Sequence, residues 1–210
     1  MPITKSIAST KKVSKVLPIQ QEFFLAFEFN THMTSKTLIC YGTRYGSTAE
    51  VAQKMADIIV ESGSAVDLVD LKTSKPPMHV QEYDLVIIGS GIQVGKWTKH
   101  PLQFIEKNLE TLSASRVALF VVCGSAAHED QCDDAQRDFL DKIVEDFPGL
   151  SPVSTGLFAG LYDFKRYSFP VRVLVKRIVK SELPPGEEVP EKIDYRDWDA
   201  IREWVLGLIQ

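Results

Sequence analysis

The sequence predicts an α/β domain: a doubly wound parallel sheet of about five strands with helices on both faces. Short runs that are apolar throughout alternate with longer segments whose apolar residues recur at helical spacing. A strand without polar positions needs cover on both faces, and an alternating βα order supplies it. The punctuation agrees, because Gly42, Gly89 and Gly124 stand at the ends of three of the apolar runs.

Residues 37–41 form a β-rich apolar run closed by Gly42, the pattern of a buried strand. Over 48–62, Val51, Met55, Ile58 and Ile59 keep helical spacing, and Gly63 ends the segment. A second strand is expected over 65–69, and Lys75-Pro76-Pro77 marks a loop. The third strand spans 83–88 and stops at Gly89. Leu102, Phe104, Ile105 and Leu109 define the next helix, with Pro101 suited to its first turn. Residues 117–123 give a fourth strand. From Glu129 onward, Phe139, Leu140, Ile143, Val144 and Phe147 predict one long surface helix. A fifth strand is expected over 153–161, then helices over 172–180 and 198–209, separated by the Pro-, Gly- and Glu-rich loop 183–191.

The 210 residues leave room for one generous domain or two small ones, with 44% hydrophobic and 25% charged residues. A net charge of −4 argues against nucleic-acid binding, which calls for a basic surface. Charge is uneven along the chain: 129–146 holds eight acids and two bases, and 165–180 holds six bases and no acid. The plainest meaning of such blocks is a solvated face. Cys40, Cys123 and Cys132 are too few and too irregular for a disulfide framework or a zinc site, so a reducing cytoplasm is the simplest home. No apolar stretch approaches the roughly 20 residues of a membrane helix.

Residues 1–36 differ from the rest, with five lysines, no arginine, many Ser and Thr, and one short apolar patch at Phe23-Phe24-Leu25-Ala26-Phe27. The patch is too short for a secretory h-region, and the lack of arginine weakens an organelle-targeting reading. The expected organisation is a poorly ordered extension over 1–36, with Met33 as an alternative start, followed by one domain over 37–210.

Ligands of open parallel sheets bind beyond the carboxyl ends of the strands, at the switch in strand order. Three predicted loops lie at such ends. Thr43-Arg44-Tyr45-Gly46-Ser47-Thr48 gathers three hydroxyls, a glycine and the free N–H groups of a helix start, a donor set suited to a phosphate monoester. It is neither a P-loop nor the dinucleotide glycine fingerprint. The alternative is a plain helix start capped by Ser47 or Thr48. In Gly89-Ser90-Gly91-Ile92-Gln93-Val94-Gly95-Lys96-Trp97, three glycines let backbone approach a flat ligand whose faces Ile92, Val94 and Trp97 would cover. An ordinary glycine-rich turn is the alternative there. After the fourth strand, Gly124 and Ser125 would line the other edge of a ring. His128 reads more simply as a solvent residue capping the next helix than as a proton donor. Cys40 and Cys123 read as inert core thiols rather than a redox pair.

At these residues the chain resembles the flavodoxin family. Thr43, Gly46 and Thr48 are similar to its FMN-phosphate loop, with Tyr45 where many members carry a second Thr, and the next two loops resemble its isoalloxazine-binding loops. The chain further resembles the branch that includes the menaquinone-dependent protoporphyrinogen IX dehydrogenases. Thr43-Arg44 with Gly46, Ile92-Gln93-Val94-Gly95 with Gln93 in place of an arginine, Gly160-Leu161-Tyr162, and Tyr195-Arg196-Asp197-Trp198 carry that likeness, which spans roughly 37–209.

The resemblance implies strand order 2-1-3-4-5 and FMN as cofactor. The phosphate would lie at Thr43, Arg44, Tyr45, Gly46, Ser47 and Thr48, and the ring at Gly91, Ile92, Gln93, Val94, Gly95, Trp97, Gly124 and Ser125. It further implies an oxidoreductase of haem biosynthesis, passing electrons from a small-molecule substrate such as a porphyrinogen through FMN to a quinone. No catalytic side chain and no metal are expected, because the flavin carries the redox chemistry. The basic segment from Lys165 to Lys180 surrounds Val171, Leu174, Val175 and Ile178 with Arg172, Lys176 and Arg177. It would rest peripherally on the inner face of an anionic membrane, attract porphyrin propionates, or simply pack its apolar side on the sheet. The alternative function is a flavodoxin-type electron carrier docking on protein partners through the acidic stretch. The basic segment and the aromatic residues Tyr162, Phe164, Tyr167 and Phe169 speak against it. An interaction module without flavin is the third reading.

Overall fold

The computed structural model describes residues 35–184 and 186–210. The extension expected over 1–36, with its apolar patch and Met33, lies outside the described residues except for Ser35 and Lys36.

Strands β1 (Lys36–Gly42), β2 (Ala65–Asp70), β3 (Leu85–Gln93), β4 (Lys96–Trp97), β5 (Val117–Cys123) and β6 (Ser154–Ala159) build the main sheet. Its order is β2-β1-β3-β5-β6, all parallel, with the two-residue β4 antiparallel to the end of β3. Setting β4 aside, this is the 2-1-3-4-5 order expected. Ile39 of β1 sits between Leu68 of β2 and Ile87 of β3, which fixes the register at the centre of the sheet.

The apolar strands alternate between two cores, as a period of two requires. Leu38, Cys40, Val86 and Ile88 face Phe104, Ile105 and Leu112 of helix α2 (Lys99–Ser113). Ile39, Ile87 and Phe120 face Val51, Met55 and Ile59 of α1 (Ser47–Glu61), and Ile201 and Val205 of the C-terminal helix (Trp198–Leu208). Burial of each such Leu, Ile or Phe side chain contributes about 1.5–3 kcal/mol. Asp197 caps the C-terminal helix, its carboxylate accepting from the amides of Asp199 and Ala200 at 3.1 and 2.9 Å.

Four elements differ from expectation. The surface helix expected from Glu129 is two short α-helices, α3 (Cys132–Gln136) and α4 (Lys142–Asp146), joined by a π-helical turn at Arg137–Asp141 and preceded by 3₁₀ turns. Apolar spacing alone does not separate α from π windings, and here the Phe139 carbonyl in the wide turn accepts the Trp97 indole N–H at 2.6 Å. The third strand runs on to Gln93, because Gly89, Ser90 and Gly91 pair with Phe120, Val121 and Val122 of β5. The fifth strand breaks at Gly160 and continues as β7 (Leu161–Asp163), which forms a small antiparallel ladder with β8 (Lys192–Asp194). Helix α5 (Phe169–Glu182) buries Val179 but leaves Phe169, Val173, Leu174 and Ile178 between 50% and 71% exposed, so its apolar side is not packed wholesale on the sheet. The C-terminal helix is α6.

Candidate functional site

The ends of β1, β3, β5 and β6 emerge along one edge of the sheet and surround a cavity of about 390 Å³. That volume lies within the ~300–1,000 Å³ range of small-molecule sites.

One wall is the turn between β1 and α1. Gly46 is the residue before the helix, with φ of +92°, and no side chain caps the helix start. A β-carbon there would meet strain and the Arg166 guanidinium at 2.7 Å. The amides of the first turn therefore stand without intrahelical acceptors, facing the place where an anion is most favoured. The Thr43 hydroxyl oxygen accepts the Gly46 amide at 3.0 Å, and the Ser47 hydroxyl oxygen accepts the Leu161 amide at 2.9 Å. Both hydroxyls keep a proton to donate. Thr48 is 3% exposed, lines the cavity, and has no side-chain hydrogen-bond partner among the described residues. The expectation of a helix capped by Ser47 or Thr48 is thus not what forms.

The opposite wall is the β3–β4 hairpin. Its tip, Val94-Gly95, has φ of +50° and +71°, the sense of a tight hairpin turn. The Ser90 hydroxyl oxygen accepts the Thr98 amide at 2.9 Å and pins the hairpin base. Gly91 lies where any side chain would fill the cradle, since its β-carbon would come within 2.7 Å of the Thr48 hydroxyl. Of the residues expected at the site, Thr43, Arg44, Tyr45, Ser47, Thr48, Gly91, Ile92, Gln93, Val94 and Gly124 line the cavity. Gly46, Gly95, Trp97 and Ser125 do not. Gly46 and Gly95 shape the two turns, and Ser125 opens a 3₁₀ turn. Trp97, expected to cover a ring, is 6% exposed and turns its indole into the α2-side core.

A third wall comes from residues outside the expected set: Gly160, Leu161, Tyr162, Tyr167, Val171, Leu174 and Val175. The available signal was a glycine at a strand end followed by aromatics. Aromatic rings run around this wall, from Tyr45 to Tyr167 (centroids 4.5 Å apart), to Phe164 (5.9 Å), to Tyr162 (6.3 Å) and to Tyr195 (5.8 Å). Phe169, the fourth aromatic of the expected cluster, stands apart with Arg172 over its ring.

Charge is organised around Glu50 in the first turn of α1. Its carboxylate accepts from Arg166 at 2.8 Å and from Arg196 at 2.6 Å. Arg196, whose side chain is 4% exposed, also grips Asp194 through paired contacts and stacks over Trp198. Burial works to raise the Glu50 pKa, but the two guanidiniums outweigh it and hold the carboxyl below its usual value. Arg166, which also pairs with Asp163 at 3.1 Å, donates to the Tyr45 carbonyl at 3.3 Å and so places its guanidinium beside the uncapped turn. Burial pushes the Tyr167 hydroxyl up to about 12 and the Cys123 thiol up to about 11.

A parallel sheet of this order, with an uncapped helix start after its first strand and a cavity at the switch point, defines a flavodoxin-type domain. Residues 38–186 match the flavodoxin domain family, and the chain belongs to it; the cofactor of that family is FMN. Among curated proteins it is 29% identical to protoporphyrinogen IX dehydrogenase (quinone) of Leishmania major, over 80% of this chain and 72% of the relative. It is 26% identical to the protein of the same name from Escherichia coli strain K12, over 79% and 90%. Solved structures of like fold include a short-chain flavodoxin associated with a bacterial microcompartment (TM-score 0.52, 14% identity, 84% of this chain and 97% of that one). A flavoprotein of Bacteroides eggerthii is another (TM-score 0.50, 16% identity, 84% and 99%).

Proposed function

We propose that the protein is an FMN-dependent oxidoreductase of the protoporphyrinogen dehydrogenase type, passing electrons from a reduced small-molecule substrate to a quinone-type acceptor. The observation that carries this reading is the third wall of the cavity. Tyr162, Tyr167, Val171, Leu174 and Val175 add apolar surface beside the FMN-type loops, which a large flat substrate needs and a plain carrier does not. The likeness to two proteins named protoporphyrinogen IX dehydrogenase (quinone) supports the same substrate class.

Thr43, Ser47, Thr48 and the first-turn amides of α1 would hold the FMN phosphate, with Arg44, Tyr45 and Gly46 shaping that turn and Arg166 adding charge beside it. Gly91, Ile92, Gln93, Val94 and Gly124 would border the ring. Bound FMN supplies the electron chemistry. The chain binds and orients it, and the aromatic wall keeps water from one side. No side chain is assigned an acid or base role.

The test is a titration of purified protein with FMN, read in the visible spectrum, followed by anaerobic oxidation of protoporphyrinogen with a menaquinone analogue. Saturable binding and quinone-dependent porphyrin formation are expected. FMN binding without porphyrinogen oxidation overturns the substrate and leaves the carrier reading. The carrier reading has its own support, since all eight acids of 129–146 are exposed and would steer a protein partner.

We further infer peripheral attachment to the inner face of a membrane, with the rest of the molecule in the cytoplasm, a reading that the exposed surface of α5 supports. Exposed Phe169, Val173, Leu174 and Ile178 alternate with Arg177 and Lys180, the mixture that binds anionic lipid headgroups. No helix among the described residues is long and apolar enough to cross a membrane. Flotation with vesicles containing phosphatidylglycerol, but not with neutral vesicles, is the expected result; failure to float with either removes the attachment.

A further inference from the structure

A second groove, of about 500 Å³, abuts the FMN-type cavity along Thr43, Arg44, Gln93 and Thr98, and none of the functions above uses it. Arg44, Lys72, Lys99 and His100 line it, and no acidic side chain does. Among the described residues, no carboxylate forms an ion pair with any of these four, whereas Arg202 holds one and Arg137, Arg166 and Arg196 hold two each. The nearby Asp70 is engaged by the Lys72 backbone amide at 2.9 Å and does not line the groove.

The placement runs against local stability. Lys99 occupies the first turn of α2, beside His100, where its positive charge opposes the helix dipole. That turn holds no acidic residue, and its N-cap Thr98 makes no capping bond because its hydroxyl lies 3.0 Å from that of Ser90. Departures of this kind from the favoured charge pattern are expected at functional sites, and an anion in the groove would offset the cost.

We propose that this groove anchors the carboxylate arms of the redox substrate while the substrate's apolar body lies in the adjoining cavity. The inference rests on the reading of the protein as a porphyrinogen oxidoreductase, and it names where the two propionates of that substrate class bind. Carboxylates fit better than a phosphate. The groove's lysine charges adjoin an apolar cavity and so suit an apolar body that carries carboxylate arms, whereas the phosphate of FMN has its own turn at Gly46.

The experiment measures binding of the product, protoporphyrin IX, and of its dimethyl ester to FMN-loaded protein by fluorescence titration at low and high salt. The diacid is expected to bind about tenfold more tightly at low salt, with the gap narrowing at high salt. The double variant Lys72→Glu/Lys99→Glu should lose that preference while keeping FMN affinity. Lys107→Glu/Lys142→Glu, the same charge change at two lysines that do not line the groove, should keep it. Equal binding of diacid and ester, or a preference that survives the double variant, overturns the subsite alone. Binding of neither porphyrin by FMN-loaded protein overturns the substrate reading and the subsite with it.

Discussion

Thr37 shows how a single hydroxyl costs this fold. It is fully buried in β1, and its oxygen has no hydrogen-bond partner. An unsatisfied buried polar group costs about 1–3 kcal/mol. Thr37→Val keeps the β-branched shape and removes the hydroxyl, so it should raise stability by about 1 kcal/mol. A higher urea midpoint at unchanged slope is the expected result, and a lower midpoint would refute the account. The three cysteines differ for the same reason of burial. Cys40 is fully buried and its thiol pKa is driven well above the ordinary value, while desolvation takes Cys123 to about 11. Cys132 is only partly buried. Iodoacetamide at pH 8 should therefore modify Cys132 first, with mass spectrometry of peptides reading the order. This inertness was legible in the sequence, where Cys40 and Cys123 stand inside apolar strands.

The elements tell which kinds of structure the residue pattern encodes. The central strands were readable because burial on both faces leaves no polar position to confuse them, and α1 because its apolar stripe is unbroken. The β7–β8 ladder was not readable, since two three-residue strands lie 29 residues apart, as their pairing of Asp163 with Lys192 shows. What holds that ladder to the domain is Arg196, through Asp194 on β8 and Glu50 on α1. The Tyr195-Arg196-Asp197-Trp198 motif thus has a structural meaning: an aromatic contact, a clamp, a helix cap and a stacking partner in succession. The clamp predicts a pH dependence. Glu50 and Asp194 both have folded-state pKa values below their ordinary 4.5 and 3.8, Asp194 chiefly through its hydrogen bonds from Arg196. A depressed carboxyl stabilises the fold above its unfolded pKa and loses that contribution as pH falls through the folded value. Stability should therefore drop as pH falls below about 4.5, and Arg196→Met should lower stability at neutral pH while flattening the acid limb. Thermal melts from pH 7 to pH 3 check both; an equally steep acid limb in the variant would exclude the clamp as its source.

At the scale of the whole molecule, the site is assembled from distant parts of the chain, and this decided how much of it could be read. The turn after β1 and the glycine-rich segment 89–97 were legible as contiguous segments with their donors or glycines in a row, although the hairpin that the second one forms was not. The third wall and the cationic groove were not. The third wall lies within 160–175 but depends on the strand break at Gly160 and on where α5 docks, and the groove joins Arg44, Lys72 and His100, which only the sheet order brings together. The same assembly makes a prediction about FMN as a ligand of the entire fold. The cavity joins the α1 start to β7 and α5, and Ser47 already ties the two by accepting the Leu161 amide. A ligand there binds only the folded arrangement of all three walls. At a concentration 100 times its dissociation constant, such a ligand stabilises by about 2.7 kcal/mol. Removing FMN should thus lower the melting temperature and expose the Lys- and Arg-rich α5 to trypsin, with cleavage concentrated in 165–180. Riboflavin, which lacks the phosphate, should protect less at equal concentration, and Thr48→Val should reduce the FMN effect towards the riboflavin level. Trypsin cleavage of α5 at the same rate with and without saturating FMN would show that the third wall takes no part in holding the cofactor.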